Sequence, residues 1–217
     1  ITETWTETQF PLSGSGNLAV GDINGDKLDD VFATTSEYGA QTVNRLTTWL
    51  GSRSALLEQK AVFTLAASGQ AMRVADLDRD GYNDLFVATS AGYVAFRGDT
   101  LASMVTLSSG NERMDFQPLY QGPDGLLFDD VDHDGILDII ATADDKGTGL
   151  QRNAGVALWR GLGDGHFIRT ESYLVPGANS AVGLDDFDDD GIGDLLLSGG
   201  SPYGGSLMLL RGAARCR

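Results

Sequence analysis

Cysteine is nearly absent from this chain. The only one among 217 residues is Cys216, next to the last position, so no disulfide can form within the chain. We interpret Cys216 as a terminal thiol without a role. The fold must therefore be stabilised by something other than disulfides.

Long apolar runs are also missing. The longest, such as Leu195–Leu197 and Leu207–Leu210, fall far below the roughly 18 to 20 residues of a membrane-spanning helix. We therefore expect no membrane insertion. The chain opens at Ile1 without a basic stretch or an apolar signal core, which fits either a processed secreted protein or an excised segment.

Basic residues are scarce relative to acidic ones. The chain has 15 Lys and Arg against 31 Asp and Glu, which gives a formal net charge of −16. Such a charge repels phosphate backbones and anionic lipids, so it argues against nucleic acid and membrane surfaces as partners.

What the chain does contain is an acidic segment that occurs four times. The copies begin at Asp22, Asp76, Asp130 and Asp186, and successive starts are 54, 54 and 56 residues apart. We call these nine-residue segments loops 1 to 4 and number their positions 1 to 9. They read DINGDKLDD, DLDRDGYND, DVDHDGILD and DFDDDGIGD. A period of this length indicates a propeller or a solenoid.

Alternating apolar residues precede each loop and a β-rich stretch follows it. Leu18 and Val20 precede loop 1 at a period of two, and Val31–Thr35 follows it. A third strand comes next, at Leu46–Leu50 in the first unit, and a fourth leads to the next loop. Four strands per unit predict an all-β fold, a β-propeller with four blades of four antiparallel strands. We expect a single domain over residues 1–217, with repeat units of about 1–54, 55–108, 109–164 and 165–217.

The N-terminal segment has a counterpart near the other end of the chain. Trp5–Ser13 is similar to Arg169–Pro176, the fourth-strand segment ahead of loop 4. We therefore predict that the chain begins with a fourth strand, which closes the last blade and removes the exposed sheet edges. The alternative is that the four blades are part of a larger ring.

Positions 1, 3, 5 and 9 of every loop carry Asp or Asn. Alternate residues of a tight loop converge on one point, and several hard oxygens around one centre are what Ca²⁺ requires, at about 6 to 8 ligands, whereas Mg²⁺ keeps more water. Position 7 is apolar, so we expect its carbonyl to face the ion and its side chain to enter the core. The predicted metal ligands are Asp22, Asn24, Asp26, Leu28, Asp30, Asp76, Asp78, Asp80, Tyr82, Asp84, Asp130, Asp132, Asp134, Ile136, Asp138, Asp186, Asp188, Asp190, Ile192 and Asp194.

The acidic excess of the chain lies in these loops. Fifteen of the 31 acidic residues occupy ligand positions, and the other 16 nearly balance the 15 basic residues. Without a cation, the carboxylates of each loop would repel one another. A solvated acidic surface is the alternative, but four copies in register favour a metal site.

The loops differ from EF-hands, because position 12 is Ala33, Val87, Ala141 or Leu197 rather than a bidentate Glu. The pattern D-x-D-x-D-G-x-x-D between strands instead resembles the FG-GAP or VCBS family of calcium-binding repeats, which builds the integrin α-subunit propeller. The resemblance implies a β-propeller, calcium in the loops between first and second strands, and usually an extracellular binding or adhesive role.

Loop 1 departs most from the shared pattern. It has Asn24 at position 3, and Lys27 stands where the other loops have glycine. A left-handed turn is costly for a lysine. We therefore expect up to four calcium ions, one per loop, with loop 1 the weakest site.

The chain offers little for catalysis. Its two histidines are His133, inside loop 3, and His166, in a predicted hairpin turn, and neither has a recognisable Ser or Cys partner. We therefore expect no enzyme activity. Arg97-Gly98-Asp99 spells an adhesion tripeptide, but it occupies a hairpin position and we interpret it as a turn.

Ligand binding is then the expected role. Tyr38 and Tyr203 lie in loops that follow second strands, where an aromatic ring beside polar groups suits a sugar; packing of each ring over its own loop is the alternative. We assign Trp49, Phe96, Trp159 and Leu209, which recur at one place in the third strands, to packing between blades. The sequence thus predicts a non-catalytic, calcium-stabilised, secreted or cell-surface module that binds carbohydrate or glycoprotein, lectin-like or adhesive in character. The alternative is a structural or accessory propeller domain of a larger secreted enzyme or surface protein.

Overall fold

In the described part of the chain, all of the regular secondary structure is β-strand. The computed structural model describes residues 7–14, 16–54, 57–98, 105–111, 126–145, 153–175, 178–201 and 204–212. These ranges contain fifteen strands: β1 Leu18–Gly21, β2 Asp30–Glu37, β3 Val43–Gly51, β4 Leu57–Leu65, β5 Gly69–Ala75, β6 Asp84–Thr89, β7 Gly92–Phe96, β8 Thr106–Gly110, β9 Leu126–Asp129, β10 Asp138–Asp145, β11 Asn153–Gly161, β12 Phe167–Leu174, β13 Ala178–Asp185, β14 Asp194–Ser201 and β15 Gly204–Leu210.

The strands form four antiparallel sheets, each built from consecutive strands. Sheet 1 has the order β1-β2-β3-β4, sheet 2 has β5-β6-β7-β8, sheet 3 has β9-β10-β11-β12 and sheet 4 has β13-β14-β15. In each sheet an acidic loop joins the first strand to the second, and position 9 is the first residue of the second strand. The all-β prediction is confirmed, and sheets of three to four antiparallel strands have the form of propeller blades.

The second strand of sheet 2 is buried on both faces because a sheet packs on each side of it. In β6 every residue from Asp84 to Thr89 is buried. Leu85 and Val87 pack with sheet 1, whereas Phe86 and Ala88 pack with sheet 3. Since successive side chains of a strand point to opposite faces, one short apolar run can serve two interfaces.

Three hydrophobic cores lie between the four sheets, one at each interface between neighbouring sheets. The core between sheets 1 and 2 contains Phe32, Leu46, Met72 and Leu85, and the core between sheets 3 and 4 contains Ile140, Val156, Leu195 and Leu197. The core between sheets 2 and 3 is the most aromatic and contains Phe86, Tyr93, Trp159 and Phe167. Each sheet therefore depends on its neighbour in the chain for burial.

The third strands carry the large side chains that the sequence assigned to packing between blades. Trp49, Phe96 and Trp159 are buried, with exposed fractions of 4%, 8% and 1%. A break in register between third and fourth strands lies beside each of them. Leu209, the fourth member, is 46% exposed, so its assignment is wrong. It lies on the outer face of sheet 4, which no described sheet covers.

The predicted N-terminal fourth strand is not observed. Residues 7–13 form no strand, residues 1–6 lie outside the described part, and sheet 4 has three strands among the described residues. Pro11 lacks an N–H group for a strand ladder, and Phe10 and Leu12 are exposed. The chain instead joins sheet 1, where the Asn17 carbonyl accepts the Thr34 N–H at 3.0 Å.

Both end sheets present apolar side chains to solvent. Leu18 and Val20 of β1 are 57% and 58% exposed, and Leu207 of β15 is 72% exposed. Leu18 and Val20 lie on the face of sheet 1 opposite Ala19 and Phe32, which face sheet 2. The described sheets thus form a row whose two outer faces are partly exposed; on the outer face of sheet 1, Ala33 and Trp49 remain buried.

Candidate metal centres

The carboxylate at position 9 lies inside the protein and fastens two parts of the backbone. One oxygen accepts the N–H of position 2, and the other accepts the N–H of the glycine that follows the third strand or ends it. In loop 2, Leu77 and Gly98 both donate to Asp84 at 3.0 Å. The same bonds recur in the other loops: Ile23 and Gly51 to Asp30, Val131 and Gly161 to Asp138, and Phe187 and Gly212 to Asp194.

Burial changes the acidity of position 9. It raises the pKa of Asp84 to about 6, although the N–H groups of Leu77 and Gly98 act in the opposite direction. Burial also raises the pKa of Asp30 and the pKa of Asp138. A cation beside such a group favours its ionised form, so these buried carboxylates suit a site that holds a cation.

Positions 1 and 5 shape the turn of each loop. In loop 3, Asp130 accepts the N–H groups of Asp134 and Gly135 at 3.0 and 2.9 Å, and Asp134 accepts the N–H of Ile136 at 2.9 Å. Loop 4 repeats all three bonds. A carboxylate can accept about four hydrogen bonds or metal contacts, so these bonds orient the oxygens without exhausting them.

Left-handed backbone occurs at positions 4 and 6 of every loop. In loops 2 to 4 position 6 is glycine, and position 4 is Arg79, His133 or Asp189, with φ of 65°, 59° and 61°. Loop 1 reverses this order, with Gly25 at position 4 and Lys27 at position 6, where φ is 69°. Each loop therefore holds one strained non-glycine residue. The prediction of extra strain in loop 1 is wrong, because this loop has its glycine at position 4 instead of position 6.

Carboxylates converge in three of the four loops. Ligand oxygens of three carboxylates lie within 4.8 Å of one another in each of the sets Asp76, Asp78 and Asp84; Asp130, Asp132 and Asp134; and Asp186, Asp188 and Asp194. Loop 1 is described over all nine positions and forms no such set. Its amide Asn24 replaces the carboxylate of position 3.

Loop 2 also contains a buried oxygen without a partner. Oδ1 of Asp76 is inaccessible to solvent and accepts no hydrogen bond from the described residues. A buried acceptor is costly when it is unpaired. A cation bound among Asp76, Asp78 and Asp84 would satisfy it, so the residues present fit a metal ion.

The sequence predicted that the side chain of position 7 enters the core, and this prediction is wrong. Tyr82 is 44% exposed, and Leu28, Ile136 and Ile192 are only partly buried. Position 2 enters the core instead in loops 1 and 2, where Ile23 is 0% and Leu77 is 3% exposed. Ile23 and Leu77 lie in the cores between neighbouring sheets, whereas Phe187 at position 2 of loop 4 is 51% exposed.

The structure adds one kind of residue that the sequence pattern did not single out. Arginines at or just after the ends of the third strands pair with loop carboxylates: Arg97 with Asp78 at 2.6 Å, Arg160 with Asp132 at 2.8 Å and with Asp134 at 2.7 Å, and Arg211 with Asp188. The signal available in the sequence was the repeated Arg-Gly pair after each of these strands.

The predicted ligand-binding tyrosines have different outcomes. Tyr38 lies between β2 and β3 and is 80% exposed, so its ring does not pack over its own loop. Tyr203 lies outside the described residues. Arg97 of the tripeptide pairs with Asp78, and Gly98 donates to Asp84, whereas Asp99 lies outside the described residues. The first two residues of the tripeptide are therefore directed into loop 2.

No helix in the described ranges has the length and apolar character needed to cross a membrane.

The repeated loops are similar to a known protein family. A search of curated proteins gave no match. A family model described as an FG-GAP-like repeat matches residues 22–87, from position 1 of loop 1 through loop 2 and into β6. This match confirms, over residues 22–87, the resemblance to FG-GAP repeats that was drawn from the loop pattern.

Proposed function

We propose that the chain is a calcium-stabilised β-propeller module that binds carbohydrate or glycoprotein outside the cell. The observation that carries the metal part is the convergence of three carboxylates in each of loops 2 to 4, together with the unpaired buried Oδ1 of Asp76. Oxygen ligands in this number suit Ca²⁺ better than Mg²⁺, which retains several waters.

Calcium would be held by the side chains of positions 1, 3, 5 and 9 and by the carbonyl of position 7. It would supply positive charge where the loop carboxylates otherwise repel one another. The chain's own residues supply the geometry, because position 9 fixes the loop to the third strand and position 1 fixes its turn. Loop 1 has one carboxylate fewer and no converging set, which supports its place as the weakest site.

A calcium titration of the metal-free protein by calorimetry tests this part. Asp130→Asn removes a carboxylate of loop 3 and should lower the number of tight sites by one. Asp164→Asn removes an exposed carboxylate from a turn outside the loops and should leave binding unchanged. Absence of calcium binding by the wild-type protein at millimolar concentration contradicts the proposal.

The ligand part depends on Tyr38. An exposed aromatic ring next to Gly39 offers an apolar face for a sugar ring, with polar groups of the same loop for its hydroxyls. Glycan-array binding that is lost in Tyr38→Ala supports this site. Tyr173→Ala is the matched control, because Tyr173 is 50% exposed on β12 and lies outside the proposed site. If glycan binding survives Tyr38→Ala, the glycan site does not include Tyr38.

A structural role within a larger secreted protein is the second candidate. The exposed apolar faces of sheets 1 and 4 favour it, because contiguous exposed apolar surface indicates contact with another protein surface. The two functions make different predictions for the isolated chain: a lectin binds glycans by itself, whereas a structural module binds none and changes only in stability when its neighbour is added.

A further inference from the structure

Three of the four loops contain a positive side chain from the third strand of the same sheet. Arg97 Nη2 lies 2.6 Å from Asp78 Oδ2 and Arg97 Nη1 lies 3.8 Å from Asp80 Oδ2. Arg160 Nη2 lies 2.8 Å from Asp132 Oδ2 and 2.7 Å from Asp134 Oδ2. The guanidinium therefore contacts positions 3 and 5 of the loop.

These are carboxylates that a bound cation would use. Asp78, Asp132 and Asp188 are each members of a converging set, and each is paired with an arginine. In loop 3 two of the three carboxylates in the set are shared with Arg160. The arginine and a bound metal ion would therefore interact with the same carboxylates.

Loop 1 is the exception, because a leucine stands at the position that the arginine has in the other three sheets. The register of the strands pairs Val31 with Trp49 in sheet 1 and Ile139 with Trp159 in sheet 3, so Leu50 is the counterpart of Arg160. Loop 1 has three carboxylates at its ligand positions and Leu50 in place of this arginine, whereas the other loops have four carboxylates and one arginine each at the corresponding position. An arginine is present where the fourth carboxylate is present.

We propose that Arg97, Arg160 and Arg211 are internal counter-cations, which hold loops 2 to 4 together when no metal is bound and lower the calcium affinity of these loops by competing for positions 3 and 5. This inference rests on the proposed function. The guanidinium relieves the repulsion among four carboxylates in the metal-free loop. A calcium ion that enters meets a positive neighbour and has to share or displace its carboxylates.

Exchange of the two residue types tests the inference. Arg160→Leu gives loop 3 the residue of loop 1, and Leu50→Arg gives loop 1 the residue of loop 3. Arg160→Lys keeps the charge as a control. Lys60→Leu removes a positive charge from an ion pair with Glu58 on β4, so it controls for the change in net charge.

Amide signals in two-dimensional NMR spectra report each loop separately. The Gly135 N–H bonds to Asp130 and the Lys27 N–H bonds to Asp22, so these two signals follow calcium binding to loops 3 and 1. We expect Arg160→Leu to lower the calcium midpoint of Gly135 about fivefold, as loss of a partly exposed ion pair implies. Leu50→Arg should raise the midpoint of Lys27 by a similar factor. Lys60→Leu should move neither midpoint by as much.

The melting temperature in the presence of a chelator is the second measurement. Arg160→Leu should lower it by about 2 to 4 °C, since the loop loses its counter-charge. An unchanged or higher Gly135 midpoint in Arg160→Leu, or an unchanged melting temperature in chelator, overturns the inference. If no amide signal of the wild-type protein responds to calcium, the proposed metal site fails, while a lower melting temperature of Arg160→Leu in chelator still supports the counter-charge role. Leu50→Arg keeps the test decisive if Arg160→Leu does not fold.

Discussion

The buried carboxylate at position 9 holds each loop in place. Asp84 is 0% exposed and accepts N–H groups from both sides, so it links the loop to the end of the third strand. No other side chain of similar size can accept two N–H groups in this way. An amide offers only one acceptor atom and would direct its NH₂ group at a donor.

The raised pKa of Asp84 predicts how the stability of the metal-free protein depends on pH. The folded protein binds a proton at this group with a pKa of about 6, against 3.8 for an ordinary aspartate, so it holds more protons than the unfolded chain between these values. The free energy of unfolding should therefore fall as pH rises from about 4 to 7, with a contribution from Asp84 on the order of 2 to 3 kcal/mol.

Urea unfolding of the metal-free protein at pH 5 and pH 7 measures this effect. Asp84→Asn should be less stable than wild type at both values and should lose part of the pH dependence. The exposed Asp185→Asn should keep it. A stability that is constant or rises over this range contradicts the raised pKa of Asp84, because carboxylates with a lowered pKa, such as Asp134 and Asp164, change the stability only at lower pH.

The glycine at the end of the third strand is required for a different reason. A Cβ at Gly161 would overlap the carbonyl oxygen of Leu137 and press on the side chain of Ile136. Gly161→Ala should lower the free energy of unfolding by about 1 to 3 kcal/mol. Gly183→Ala is the control, because nothing lies within 4 Å of its Cβ position, and its effect should be below about 0.5 kcal/mol. Equal losses in the two variants contradict the close approach.

At the scale of elements, neighbouring sheets are joined by side chains that only the fold brings together. Phe86 of β6 stacks on Tyr93 of β7 at 5.2 Å between ring centroids and meets Phe128 of β9 edge-on, also at 5.2 Å. Phe167 of β12 contacts the same ring, and its N–H donates to the hydroxyl of Tyr93 at 3.1 Å. Sheets 2 and 3 therefore share one aromatic cluster.

Truncation of the central ring tests how much this cluster contributes. Phe86→Ala should lower the free energy of unfolding by about 3 to 5 kcal/mol, since it removes a fully buried aromatic side chain. Phe187→Ala, at a side chain that is 51% exposed, should have an effect below about 0.5 kcal/mol. Chemical denaturation measures both, and similar values for the two variants contradict the packing.

At the scale of the whole molecule, calcium should act as a ligand that stabilises the folded form. Each loop that is filled at 100 times its dissociation constant adds about 2.7 kcal/mol to the free energy of unfolding. Chelation should therefore lower the melting temperature in calorimetry, and calcium should restore it more effectively than magnesium. Equal melting temperatures with and without chelator contradict the proposed metal sites.

The partly exposed outer faces of sheets 1 and 4 predict apolar surface on the isolated chain. The double variant Leu207→Lys and Leu209→Lys should bind less of an apolar fluorescent dye, with little change in melting temperature, because both side chains are exposed. Leu197→Lys on the opposite face of sheet 4 should unfold the sheet, since Leu197 is 0% exposed. Unchanged dye binding by the double variant indicates that these faces are covered in solution.

Much of this molecule could be predicted from local patterns. The loop repeat, the strand period of two and the Gly-bounded third strands are properties of neighbouring residues, and they predict the antiparallel sheets and the converging carboxylates. The failures concern residues whose surroundings come from elsewhere in the chain. Leu209 matches Trp159 in the local sequence pattern, but the strand register pairs Leu195 with Leu210 as it pairs Ile139 with Trp159. Leu210 is therefore the counterpart of Trp159, and Leu209 lies on the exposed outer face of sheet 4.

The sequence by itself determined which residues form strands and which loops concentrate negative charge, because both depend on spacing within about ten residues. Only the tertiary structure decided what those loops contact. The bond from Gly161 to Asp138 joins residues 23 positions apart, and the pair of Arg160 and Asp134 joins residues 26 positions apart. Such partners are chosen by strand register and packing, which bring distant segments together at a place that no local pattern specifies.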